Sequence, residues 1–213
     1  MKTDELVSML ANRVDAIDSS ISLRRSLIAL AAGGAAAIGV TVTVLGVNPQ
    51  LGRATMEPMF WAREIFCLAL GVIGFVAVTR LARPGMLLGG VAAIIPIPVV
   101  AMWLLAAITL AGAPAPSHLH LLLGRSASVC PVRITVIASP VFAAMILALR
   151  GLAPTRLRLT GAATGFAAGS LGALAYTLHC PEIASPFVAV WYLLGILIPT
   201  AIGAALGPRL LRW

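Results

Sequence analysis

Charged residues are scarce in this chain. Only 10% of its 213 residues are Asp, Glu, Lys or Arg, whereas 60% are hydrophobic. A soluble domain of this length cannot hide so much apolar surface, but a lipid bilayer can cover it. Ionisable residues are also nearly absent from the long apolar stretches, and pumps and ion transporters usually keep such residues at membrane depth. The composition therefore predicts a membrane protein and argues against transport by a relay of buried charges.

The sequence also lacks the patterns of common enzyme classes. It has no phosphate-binding glycine loop, no cofactor fingerprint and no set of nucleophile, base and orienting residue. Its three cysteines include no Cys-x-x-Cys pair that could pass electrons. The net charge of +8 is scattered between apolar runs rather than gathered in a basic stripe. We therefore expect neither an enzyme nor a direct nucleic-acid binder, and no cofactor beyond transient binding of a heavy-metal ion.

Six apolar stretches are long enough to cross a bilayer, which takes about 20 helical residues. We predict an all-α polytopic membrane protein, a bundle of six transmembrane helices near residues 26–46, 64–81, 86–111, 131–149, 159–178 and 186–207. Pro96 and Pro98 predict a kink in the third stretch. The chain thus divides into an N-terminal segment, residues 1–25, and a transmembrane domain, residues 26–213.

Glycines at four-residue spacing mark one face of the fifth stretch. They are Gly161, Gly165 and Gly169, with Gly172 following. Because glycine has no side chain, a neighbouring helix can approach this face closely. Gly203 and Gly207 repeat the spacing in the sixth stretch, although a single pair is a weak signal in a chain with 20 glycines. The pattern predicts close helix packing.

The distribution of Lys and Arg predicts the orientation. If the N-terminus is cytoplasmic, eleven of the 15 basic residues fall in inner segments, and the outer segments hold only Arg53, Arg63, Arg125 and Arg133. This satisfies the positive-inside rule. The first 25 residues are too acidic for a cleaved signal peptide. We expect a multi-pass membrane protein with both termini in the cytoplasm, which in a bacterium would place it in the inner membrane.

The N-terminal segment carries a narrow apolar stripe. Its members recur at helical spacing: Leu6, Leu10, Val14, Ile17 and Ile21. They fall within an arc of about 80° on a helix, and the opposite face is mainly acidic. Anionic lipids would repel that face, whereas a protein groove could cover the stripe. We interpret residues 1–25 as an amphipathic helix that binds a protein partner, with packing on the chain's own inner loops as the alternative.

Two Cys-Pro pairs stand out among the outer loops. Cys130-Pro131 and Cys180-Pro181 each precede an apolar stretch, and His179 is adjacent to Cys180. One hypothesis is a thiol switch, since a nearby histidine can favour the reactive thiolate. A second is direct metal binding by a set that could include Cys130, Cys180, His179, His118 and His120. A third is a static disulfide between the two loops. Cys67, inside the second stretch, reads as a packing residue.

These features together resemble the NrsF family of bacterial membrane anti-sigma factors. The resemblance covers essentially the whole chain. Its matching pieces are the N-terminal Thr3–Ala11 segment, the six apolar stretches, Leu122–Ser126 leading to Cys130-Pro131, His179-Cys180-Pro181-Glu182, Trp191-Tyr192, and Gly203–Arg209. The Cys-Pro pairs are its most specific part.

The resemblance implies a function for both ends of the molecule. The cytoplasmic N-terminus would hold an extracytoplasmic-function sigma factor at the membrane, away from RNA polymerase. The outer cysteines, Cys130 and Cys180, would be needed for the response to heavy-metal or oxidative stress. The alternative reading of the sequence is a small transporter or permease subunit for a metal or an apolar solute.

Overall fold

A computed structural model of the chain describes residues 19–83, 85–152 and 154–212. Four of the predicted partner-binding residues, Leu6, Leu10, Val14 and Ile17, lie outside the described residues. Ile21 lies within the first described helix, but its side chain is outside the described set. The partner-binding stripe therefore stays a prediction.

The described residues form an all-helical bundle with no strand in these ranges. We label the long helices α1 (Ser19–Val40), α2 (Pro58–Leu81), α3 (Pro96–Gly112), α4 (Cys130–Leu149), α5 (Leu157–Tyr176) and α6 (Leu193–Leu210). A π-helical turn, Thr41–Leu45, extends α1, and another, Val188–Tyr192, leads into α6. Short helical pieces occupy the connections: Leu51–Ala54, Val91–Ile94, Ala115–Ser117, His118–Leu123, Arg150–Leu152 and Ser185–Phe187.

Five segments of the described chain are long and apolar enough to cross a membrane. They are Leu23–Leu45, Pro58–Leu81, Val91–Gly112, Cys130–Leu152 and Ser185–Leu210. This composition indicates a membrane-associated protein. Helix α5 occupies the predicted fifth span but is not among the five, because glycine, threonine and serine replace many of its large apolar residues. Whether α5 is a sixth span is not decided by its length and composition, so the sixth span stays a prediction.

Two predicted boundaries are corrected by the structure. The third apolar helix begins at Val91 rather than at residue 86, because Gly85 and Gly89, with φ of 77° and 54°, place the preceding residues in turns. It is interrupted at Ile95, directly before Pro96, which fits the predicted kink. Helix α2 begins at Pro58 rather than at residue 64.

Helix α5 is the centre of the bundle. It packs most extensively against α6 and also contacts α2 and α4, whereas α1 packs mainly against α4. The small residues of α5 are therefore covered by other helices rather than by lipid. A helix in this position does not need the apolar surface that a lipid-facing helix needs, which explains its composition.

The glycine face of α5 lies directly against α6, as predicted. A Cβ atom added to Gly161 would collide with the carbonyl oxygen of Gly203, and one added to Gly165 with that of Pro199. A Cβ on Gly169 would lie 3.0 Å from the Cα of Ile196. The Gly203 and Gly207 pair, a weak signal in the sequence, forms the other half of this contact. The two backbones are in direct contact.

We expect Gly165→Leu to separate α5 from α6 and to destabilise the protein by about 1–3 kcal/mol or more, the usual cost of overpacking. The measurement is the thermal unfolding midpoint of the full chain in detergent. Gly39→Leu is the matched control, because a Cβ at Gly39 meets nothing within 4 Å. Equal midpoints for the two variants would contradict the packing described here.

Candidate functional site

The two Cys-Pro loops meet at one end of the bundle, which we call the cysteine end. Cys130 begins α4, and Cys180 lies in the connection between α5 and α6. Their residues are 0% and 1% exposed. Ser126 contacts both loops: its Oγ lies 4.0 Å from the Sγ of Cys180, and its carbonyl accepts the N–H of Cys130 at 2.9 Å. The structure therefore brings together the two cysteines that the sequence singled out.

Glu182, in the Cys180 loop, bonds to the segment that precedes Cys130, and we call this contact the clamp. Its Oε1 accepts the backbone N–H of Arg125 at 2.8 Å. The carboxylate lies against Gly124, whose φ is 51°, and a Cβ on that glycine would lie 2.8 Å from the Cδ of Glu182. Position 124 therefore favours glycine for its backbone conformation, and a larger residue there would displace the Glu182 carboxylate from its bond to Arg125. Glu182 therefore holds the two loops together.

A buried arginine holds the connection that carries Cys180. Arg63, on α2, donates from Nη1 to the carbonyl of Glu182 at 2.9 Å and to that of Cys180 at 3.2 Å. Its Nη2 donates to the carbonyl of Thr177 at 3.4 Å. Carbonyls at the end of a helix lack partners within the helix, and this guanidinium supplies donors for the residues after α5. One side chain thus fixes the path of the loop from residue 177 to residue 182.

The charge of Arg63 is compensated inside the protein, where only 1% of the residue is exposed. Its Nη2 lies 3.3 Å from Oε1 of Glu64, the one ion pair within the described ranges. The guanidinium carbon lies 5.1 Å from the ring centre of Phe60 and 5.8 Å from that of Tyr192, distances that allow cation–π attraction. A buried charge is costly unless it is paired and hydrogen-bonded, so these partners are required.

His179 connects three elements rather than acting on its neighbouring thiol. Its Nδ1 lies 3.0 Å from the carbonyl oxygen of Gly46, and its Nε2 lies 3.0 Å from Nη1 of Arg133. An arginine only donates, so Nε2 must accept, and Nδ1 then carries the proton and donates to Gly46. Both ring nitrogens of the neutral side chain are therefore occupied. The hypothesis that this histidine activates the thiol of Cys180 gains no support from this geometry.

The same connection is bonded to the end of α1. The N–H of Asn48 donates to the carbonyl of Leu178 at 2.9 Å, next to the bond between His179 and Gly46. Gly46, with φ of 80°, ends the π-helical turn Thr41–Leu45. Such turns are rare and occur often at functional sites. Helix α1 is thus attached to the Cys180 loop by two hydrogen bonds.

The five predicted metal ligands do not form a preformed centre. Within the parts of the chain that the structure describes, no three His, Cys, Asp or Glu side chains gather as a group that could hold a metal ion. His118 bonds locally, with its Nε2 2.9 Å from the carbonyl oxygen of Ala113. His120 lies in the same short helix, which Trp191 holds by donating to the carbonyl of Leu122 at 2.8 Å. The metal hypothesis stays a prediction without an assembled site.

All three cysteines of the chain are free and buried. Cys67 is 0% exposed within the apolar core, in keeping with its predicted packing role. A thiol shielded in this way reacts slowly, because reagents need access and the reactive thiolate is poorly solvated there. Any chemistry at Cys130 and Cys180 therefore requires the loops to open first.

Sequence reasoning missed two of the residues that build this site. They are Arg63 and Glu64. The prediction starts the second apolar stretch at residue 64 and puts Arg63 in an outer segment, whereas α2 begins one to two turns earlier and buries the arginine. The available signal was an adjacent pair of opposite charges next to a long apolar run, since ionisable residues in such positions are usually functional or structural. Ser126 carried no signal of its own.

The comparisons with known proteins are consistent over the whole chain. A family model described as "Negative regulator of sigma F" (NrsF) matches residues 10–213. The chain belongs to the NrsF family. It is 41% identical over 213 residues to a probable anti-sigma-F factor NrsF of Azospira oryzae, with 100% of both chains covered. It is 39% identical over 221 residues to the anti-sigma-F factor NrsF of Caulobacter vibrioides, again with 100% of both covered. No solved structure matches.

We expect Glu182→Ala to free the Gly124–Ser126 loop and to expose the two thiols. Loss of a hydrogen bond to a charged acceptor should speed maleimide labelling of Cys130 and Cys180 by about tenfold. Glu182→Gln is the matched control, because its side-chain oxygen can still accept the N–H of Arg125. Labelling is followed by mass spectrometry in a Cys67→Ala background. Equal rates for wild type and both variants would show that the clamp does not restrict access.

Proposed function

We propose that this protein is a membrane anti-sigma factor that releases its sigma factor when the cysteine end is chemically modified. The observation that carries the proposal is its full-length similarity to two NrsF proteins named as anti-sigma-F factors. The partner we propose is an extracytoplasmic-function sigma factor, and the location is the bacterial inner membrane with both termini in the cytoplasm. The role is regulatory rather than catalytic.

The proposed output is the N-terminal segment, residues 1–25. Its apolar stripe needs a surface to cover it, and a groove on a sigma factor would provide one. Helix α1 begins at Ser19, so the end of this segment is continuous with the first apolar helix. We propose that movement of α1 reaches the bound partner through residues 19–25, which belong to both this segment and α1.

The proposed input is the pair Cys130 and Cys180. Both are buried, and both contact Ser126. Oxidation to a disulfide would remove two electrons and two protons from the thiols and would need the Cα atoms within about 7 Å. Heavy-metal ions, the other stress that the family resemblance implies, would also react with exposed thiols. Either reaction needs the clamp at Glu182 to open.

Hydrogen bonds give the signal a route from the cysteines to α1. Modification of Cys180 would displace its neighbours Leu178 and His179, which are bonded to Asn48 and Gly46. Helix α1 also packs closely on α4, since a Cβ at Gly33 would lie 2.6 Å from the Cα of Val141. At 1.5 Å per residue, the helix from Ser19 to Leu45 spans roughly 40 Å. A shift at one end could therefore reorient the N-terminal segment at the other.

The first test is capture of an extracytoplasmic-function sigma factor encoded in the same genome. We expect the full chain to retain it in a pull-down and Leu10→Asp to weaken capture about tenfold or more, because the charge enters the apolar stripe. Asn12→Asp places the same charge on the opposite face and should bind as wild type does. Equal capture by both variants, or capture by a chain lacking residues 1–25, would contradict the proposed output.

The second test is release under stress, measured with a sigma-dependent transcription reporter during exposure to a thiol oxidant or cadmium. We expect Cys130→Ser and Cys180→Ser to keep the reporter repressed, because serine forms neither a disulfide nor a thiolate complex. Cys67→Ala should respond as wild type does. Normal induction in both serine variants would rule out the thiol switch.

The same reporter tests the route to α1. His179→Ala removes the bonds to Gly46 and Arg133 but leaves both thiols in place. We expect its thiols to react with the oxidant while induction falls several-fold, since the connection to α1 is weakened. If this variant induces as strongly as wild type, the signal reaches the N-terminus by another path.

A further inference from the structure

A cavity of about 380 Å³ opens between α1 and α4 at the cysteine end. Five aliphatic residues form its walls, and Arg133 and His179 supply its polar lining. The aliphatic residues are Val44, Leu45, Val132, Val136 and Ile137. Its size and its mixture of apolar walls with a few polar groups are those of small-molecule binding sites. Three other cavities, around α3, are lined by apolar residues alone.

The cavity opens toward the region that lipid chains would occupy. Val44, Val132 and Val136 are 75%, 60% and 57% exposed, and all three lie on segments apolar enough to cross a membrane. Side chains of this kind contact acyl chains when the protein is in a bilayer. An occupant with a long apolar tail would therefore gain more contact here than a small polar molecule would.

Arg133 has no carboxylate partner in the described part of the chain. The ion pair found there joins Arg63 and Glu64. One of the five N–H groups of Arg133 bonds the neutral His179, and the buried hydroxyl of Tyr176 also lies close to the guanidinium. A phosphate would bond to the donors that these two neighbours leave over. Arg133 lies within the first turn of α4, close to the end of an apolar segment, where lipid headgroups would be found. A planar guanidinium recognises a phosphate through paired hydrogen bonds.

We propose that this cavity binds one anionic phospholipid of the leaflet at the cysteine end. Its phosphate bonds to Arg133 beside His179, and one acyl chain lies along Val44, Val132 and Val136. The net positive charge of the lining favours an anionic headgroup over a zwitterionic one. Neither Cys130 nor Cys180 lines this cavity, although it shares His179 with the connection that carries Cys180. Lipid binding here does not depend on sigma-factor binding.

The test is native mass spectrometry of the full chain with phosphatidylglycerol, phosphatidylcholine or inorganic phosphate. We expect retention of one phosphatidylglycerol, with an affinity about tenfold above that for phosphatidylcholine, and no retention of phosphate alone. Arg133→Gln should reduce that preference about tenfold. Val136→Trp should fill the cavity and displace both lipids. Arg125→Gln, at an exposed arginine whose backbone N–H bonds Glu182, should bind as wild type does.

Two results would overturn the proposal. Equal retention of both lipids by wild type, Arg133→Gln and Val136→Trp would place any bound lipid elsewhere. Retention of inorganic phosphate with the affinity of phosphatidylglycerol would indicate a small-anion site without a role for the acyl chain. Unfolding midpoints show which variants are folded. Val136→Trp keeps the test decisive if Arg133→Gln is unstable, because Val136 is exposed to lipid and a larger apolar side chain is tolerated there.

Discussion

The buried guanidinium of Arg63 is the constraint on which the cysteine end depends. It donates to the carbonyls of Thr177, Cys180 and Glu182 and pairs with Glu64, so a single side chain from α2 fixes the connection between α5 and α6. Loss of one partner from such a buried set typically costs about 3–5 kcal/mol, because the remaining polar groups are left without water. That cost keeps the loop in one conformation. The positions of His179, Cys180 and Glu182 all follow from it.

The glycine face of α5 sets the helix packing next to the Arg63 hydrogen bonds. Direct backbone contact with α6 through Gly161 and Gly165 brings the helices close enough for short loops to meet at their ends. The helices are closely packed at α5, whereas π-helical turns occur at Thr41–Leu45 and Val188–Tyr192, both near the cysteine end. Close packing in the centre and irregular helix at the end therefore distinguish the two parts of the bundle.

Periodicity and composition predicted the all-α class, the α5 packing face and six spans, of which five are apolar and long enough in the described residues. These features depend on local hydrophobicity and on the absence of side chains. The Cys-Pro motifs marked two loops that the structure places together at one end of the bundle. The sequence did not predict the roles of Arg63 and Glu182, since both act through carbonyl and amide groups that are distant in the chain and have no sequence signature. The hydrogen-bond partners of His179 were also unpredictable. They are Gly46 and Arg133, which are distant in sequence, and not the adjacent Cys180.

Burial of Cys130 and Cys180 has a kinetic consequence. When a reagent is dilute, the loops open and close many times before a thiol reacts. The rate of modification is then the product of the fraction of protein molecules with open loops and the reagent concentration, so it rises in proportion to that concentration. When the reagent is concentrated, every opening leads to reaction, and the rate levels off at the rate of opening. A protein built in this way responds in a graded manner to weak exposure and has a fixed maximum speed under strong exposure, whichever reagent is present.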